Sequence, residues 1–72
     1  MPDRSNDTRT LLAARIAMKE FLDNYEIHSS QDILDAADQV NQMLSDIWYI
    51  HNESVRITIM TFAIYDRWGV LV

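Results

Sequence analysis

Seventy-two residues bound the chain to one small domain, 1–72, whose single core is marginal at that size. The absence of cysteine excludes a disulfide staple, a thiolate metal site and a Cys nucleophile, while one Gly and one Pro beside 49% hydrophobic residues argue against a disordered or loop-rich chain. A net charge of −5 sets the surface against phosphate backbones, so direct nucleic-acid binding is disfavoured.

The charge is unevenly spread. Residues 1–19 carry Arg4, Arg9, Arg15 and Lys19 against Asp3 and Asp7, a balance of +2. Residues 20–54 hold Glu20, Asp23, Glu26, Asp32, Asp35, Asp38, Asp46 and Glu53 with no Lys or Arg, a balance of −8. Residues 55–72 return to +1 through Arg56, Arg67 and Asp66. Such a distribution suits a protein partner with a basic surface.

The first six residues are polar, with no apolar run of the kind a secretory signal needs, and read as a frayed arm. Asn6, Asp7 or Thr8 then caps a helix over about 8–26. Its apolar face is Leu11, Ala14, Met18, Phe21 and Tyr25, at 3-4-3-4 spacing, widened by Leu12 and Leu22.

Ser29 with Asp32 matches a loosened capping box and opens a second helix over about 30–50. Here lies the clearest pattern in the chain. Ile33, Ala37, Val40, Leu44, Ile47 and His51 form a 4-3-4-3-4 ladder, which only a helix gathers on one face. Trp48 sits at the edge of this seam, and Asp32, Asp35, Gln39, Gln42 and Asp46 form the polar stripe. The short link favours an antiparallel hairpin, which would bring Arg9 and Arg15 near Asp46 and Glu53. Exposed pairs of this kind contribute about 0–1 kcal/mol each, so they orient the hairpin rather than hold it.

The third segment, about 53–68, pulls two ways. Its many β-branched residues favour a strand. Yet Ser54, Thr58, Thr61, Tyr65 and Trp68 sort at 4-3-4-3 spacing, with Val55, Ile59 and Phe62 on one flank and Ile57, Met60 and Ile64 on the other. Asn52 is a good cap and Gly69 a good left-handed stop. The helical reading is preferred, with an α+β fold carrying a C-terminal strand or hairpin at a dimer interface as the alternative. The fold expected is therefore all-α: a helical hairpin plus a third helix, self-associating through apolar seams. The seam residues, for core or oligomer, are Leu11, Met18, Phe21, Ile33, Val40, Leu44, Ile47, Trp48, Ile59 and Phe62.

No catalytic, metal or phosphate motif stands out. Glu20-x-x-Asp23 and Asp32-x-x-Asp35-x-x-Asp38 have the ExxD-type spacing by which some all-α nucleotide pyrophosphohydrolases hold Mg²⁺. Both sets fall on outward faces, so a solvated surface is the plainer reading. A hydrolase using Glu20, Asp23, Asp35 and Asp38 across a dimer is the enzymatic alternative. His28 and His51 lack a third ligand at metal spacing. A DNA-binding helix-turn-helix would need Lys or Arg along its recognition helix, and the second helix has neither.

The expected function is thus binding without catalysis or cofactor. The chain reads as a small regulatory or inhibitory module that occludes a protein partner, a profile common among phage and plasmid proteins that block host machinery. The contact residues expected are the aromatics Tyr49, Tyr65 and Trp68 with the acids Asp32, Asp35, Asp38 and Asp46. A nucleic-acid mimic is a variant of that reading. A second copy of the chain is an expected partner, nucleic acid and membrane are not, and the expected compartment is the cytoplasm.

Overall fold

The computed structural model describes residues 2–72 as three helices with no strand: α1 (Thr8–Asp23), α2 (Ser30–Asp46) and α3 (Glu53–Trp68). The segment torn between strand and helix is helical from end to end. Asn52 caps it, its side chain accepting from the Val55 N–H at 3.3 Å, and Gly69 stops it at φ 69° while donating to the Tyr65 carbonyl at 2.7 Å. A strand here would have needed a partner strand, and the apolar residues serve better as a helix with two buried flanks.

Those two flanks decide the architecture. Helix α3 is central and packs along both α1 and α2, which touch one another far less. The start of α1 lies beside the start of α3, and Arg67 near the end of α3 reaches the end of α1, so these two run parallel. Arg56, early in α3, bonds to Asn41, late in α2, so α2 runs against them. The expected pairing of Arg9 and Arg15 with Asp46 and Glu53 does not form. Among the described residues the ion pairs are Arg4–Asp7, Glu26–His28 and Asp23–Arg67, none of which joins α1 to α2.

The core is Ala14, Met18 and Leu22 from α1, Ala36, Ala37, Val40 and Leu44 from α2, and Ile59, Ala63 and Ile64 from α3, with Ile50 from the connecting turn. Four alanines let the helices approach closely. Leu11, Phe21, Ile33 and Trp48 pack half-buried against this core, as the seam pattern expected.

Two seam residues fail to reach it. Ile47 is 61% exposed and Phe62 is 55% exposed. The ladder breaks at Ile47 because α2 ends at Asp46, four residues earlier than the spacing implied. Tyr49 takes a left-handed φ of 55°, the chain reverses, and the Ile50 N–H returns to the Leu44 carbonyl at 3.0 Å. Ile50, rather than Ile47, is fully buried, while His51 leaves the seam for solvent. Phe62 stays outside the core because Ile59 and Ala63 supply the buried line of α3 beside α1, leaving Phe62 at the rim under Arg15.

Helix α1 also stops early, at Asp23 rather than 26, because its last carbonyls find other partners. The Asn24 side-chain amide donates to the Glu20 carbonyl at 3.0 Å, and the Arg67 Nε donates to the Leu22 carbonyl at 3.0 Å.

Within the arm expected to fray, residues 3–5 are instead pinned to the α2–α3 turn. The Arg4 N–H donates to the Tyr49 carbonyl at 2.7 Å, the Asp3 carboxylate accepts from the His51 N–H at 3.1 Å, and the buried Ser5 hydroxyl accepts from the Asn52 N–H at 2.9 Å. Composition alone marks this stretch as polar. It does not show that each polar group has a backbone partner 45 or more residues away. Met1 lies outside the described residues.

Candidate protein-interaction surface

The residues first expected to contact a partner do not converge. Asp32 is taken up by the start of its own helix, accepting from the His28 N–H at 2.7 Å and the Ser29 N–H at 3.2 Å. Asp35 accepts from the Gln31 amide at 3.2 Å and Asp46 from the Gln42 amide at 2.6 Å, each one turn along α2. Asp38 stands exposed between them. Tyr49 lies in the turn after α2, half-buried, with its ring 6.3 Å from that of His51. Trp68 packs against the core, edge-on to Tyr25 at 6.2 Å and beneath the Arg67 guanidinium at 5.6 Å. Its indole N–H is buried with no hydrogen-bond partner. Tyr65, on the open side of α3, is exposed.

The carboxylates proposed for a hydrolase are equally dispersed. Among the described residues no three His, Asp or Glu side chains gather where a metal ion could bridge them. His28 lies on the surface, its ring nitrogen 3.7 Å from Glu26.

What the fold does assemble is an apolar face between the parallel helices α1 and α3. A groove of about 440 Å³ opens there, walled by Leu11, Leu12 and Arg15 on one side and Val55, Thr58 and Ile59 on the other. A smaller trough of about 230 Å³ continues it past Ile16 and Lys19 to Asp66, sharing Leu12 and Arg15 with the first. Leu12, Ile16 and Phe62 are each more than half exposed on this face, and Tyr65 follows Phe62 by three positions on the next turn of α3. The Arg15 guanidinium lies 6.0 Å from the Phe62 ring centroid.

Leu12 and Ile16 stand on α1 because that helix carries a second apolar stripe. The first, Ala14, Met18 and Leu22, is consumed by the core. Leu12 and Ile16, four apart, are rotated away from it, with Arg15 and Lys19 interleaved. By spacing alone Leu12 only widens the main seam, and Ile16 stands outside it. The signal was the i, i+4 pair on the face opposite the first stripe.

A second, smaller apolar hollow of about 250 Å³ lies where Val70, Leu71 and Val72 turn back over Ile33 and Leu34. No helix among the described residues is long and apolar enough to cross a membrane. No known protein family, curated protein or solved structure matches the chain.

Proposed function

We propose that this chain acts by binding another protein, as a small regulatory or inhibitory module, and that the α1–α3 face is where the partner sits. The observation that carries this is the α1–α3 groove, with Leu12 and Ile16 on its lining and Phe62 beside Arg15 at its rim, each more than half exposed. Apolar residues scattered singly need no explanation, whereas a continuous strip bordered by charge is the mark of a contact surface.

Magnitudes shape the kind of contact. Covering a Leu, Ile or Phe completely contributes about 1.5–3 kcal/mol, and these side chains have only part of their surface left to cover. A flat lid over three of them therefore contributes on the order of 3 kcal/mol, against an association cost of about 4–15 kcal/mol. The partner has to bring anchors of its own into the groove. The depth between α1 and α3 accommodates such anchors, in the manner of a helix laid along a cleft.

Affinity capture from the native extract tests the reading. Proteins retained by the wild-type chain should be lost with Phe62→Asp and with Leu12→Asp, both solvent-facing changes that leave the circular dichroism spectrum intact. They should be retained with Asp38→Asn, on the exposed face of α2. A captured set indifferent to Phe62 and Leu12 would refute it.

A further inference from the structure

We infer that the α1–α3 groove receives an amphipathic helix whose apolar ridge is bordered by Asp and Glu; the inference rests on the reading of that face as the contact surface.

Backbone chemistry selects a helix. Both walls of the groove are helices whose interior N–H and C=O groups bond within each helix, so they offer no free edge for an added strand. From Thr8 to Lys19 the α1 wall runs roughly 17 Å at 1.5 Å per residue, enough for three turns of a docked helix with anchors at i, i+4 and i+7.

Charge selects the flanks. The molecule as a whole is acidic, but this face is not. Arg15 and Lys19 line the groove, Arg9 precedes Leu12 by one turn, and among the described residues none of the three is in an ion pair. Asp66, at the far end, is the one carboxylate on the lining. Every other exposed cation of the fold has work elsewhere: Arg67 holds the Leu22 carbonyl, and Arg4 pairs with Asp7. A helix entering the groove with acids beside its ridge gains attraction along the α1 rim, and one with basic flanks meets repulsion there.

A second copy of the chain fits poorly. The outer positions of α2 are Gln31, Asp35, Asp38, Gln42 and Asp46, which carry the right charge but have only Leu34 beside them as an anchor, too little for a ridge of three. The exposed stripe of α1 carries anchors but would set Arg15 and Lys19 against their own counterparts.

The test is a displayed library of amphipathic helices with a fixed leucine ridge and randomised flanks, selected on the immobilised full chain. Selected helices should be enriched in Asp and Glu, should lose binding with Phe62→Asp, and should weaken about tenfold with the double change Arg15→Glu, Lys19→Glu. Neutral or basic flanks among binders that still require Phe62 would overturn the acidic-helix inference while leaving the contact face standing. Absence of any Phe62-dependent binder, with native capture also indifferent to Phe62→Asp, would overturn both. Sedimentation of the free chain at about 50 μM should show a monomer, and a dimer dissociated by Phe62→Asp would give the groove to a second copy instead. Flotation with anionic lipid vesicles dependent on Arg15 and Lys19 would likewise overturn the inference in favour of a lipid surface.

Discussion

The outer face of α2 and the face shared by α1 and α3 solve the problem of exposure in opposite ways. On α2 the charges turn inward on their own helix: Asp32 closes the first turn, and Gln31–Asp35 and Gln42–Asp46 bond one turn along. Most of the polar groups on that surface are satisfied locally, with Asp38 left to solvent. Along the α1–α3 groove the exposed groups include Leu12, Ile16 and Phe62 with Arg15 and Lys19, and among the described residues neither cation is in an ion pair. The proposed contact therefore rests on chemistry left incomplete by folding rather than on a concentration of one charge type.

The largest expected effect separates core from face on equal chemistry. Leu44→Asp places a carboxylate in a fully buried site with no partner and should abolish cooperative thermal unfolding. Phe62→Asp, which gives up the covered half of the ring, should cost only about 1 kcal/mol and keep a cooperative melt. A collapse of the fold with Phe62→Asp would place that residue in the core and break the comparison.

Next in size is a pair that the helical ladder would have ranked in reverse. Ile50→Ala should cost about 2–5 kcal/mol in chemical denaturation, because Ile50 is fully buried beneath the turn. Ile47→Ala should cost a fraction of that, being largely in solvent.

Within the α2 acids, Asp32→Ala should cost about 1 kcal/mol through loss of the cap, and Asp38→Ala close to nothing. Equal losses would show that α2 is held by its charge stripe rather than by its start.

The smallest effect concerns pH. Hydrogen bonds from the Ser5 hydroxyl first, and then from the His51 and Ser5 N–H groups, hold the Asp3 carboxyl below its ordinary range. The Thr10 hydroxyl first, and its N–H second, do the same for Asp7. A carboxylate with a lowered folded pKa contributes stability that is complete above its unfolded value near 3.9 and is lost as pH falls through the folded value. Amide protection factors at Arg4, His51 and Asn52 should therefore fall below about pH 4 ahead of those in the helix interiors, and Asp3→Asn should remove the difference.

Much of the architecture was legible in the chain. The ladder through Leu44 marked α2 and its buried face, Asn52 and Gly69 bracketed α3, and the helical sorting of Ser54 to Trp68 outweighed β propensity. What stayed hidden depended on the tertiary fold. Periodicity carried the seam through Ile47, because a left-handed Tyr49 is no part of a hydrophobic pattern. It gave Phe62 a place in the seam, because it shows that a residue shares a face but not how far that face wraps its neighbour. The clasp of residues 3–5 on the α2–α3 turn joins positions too distant in sequence for any local rule. The candidate face was half legible: Leu12, Ile16, Arg15 and Lys19 sit at readable spacings, but only the placement of α3 beside α1 turns them into one wall of a groove.

Photo-crosslinking from single positions in the native extract tests the central claim most directly. A photoreactive side chain at position 62 should trap a protein partner, and the same group at position 38 should trap none. A partner captured from position 38 and not from 62 would contradict the account, returning the contact to the acidic face of α2.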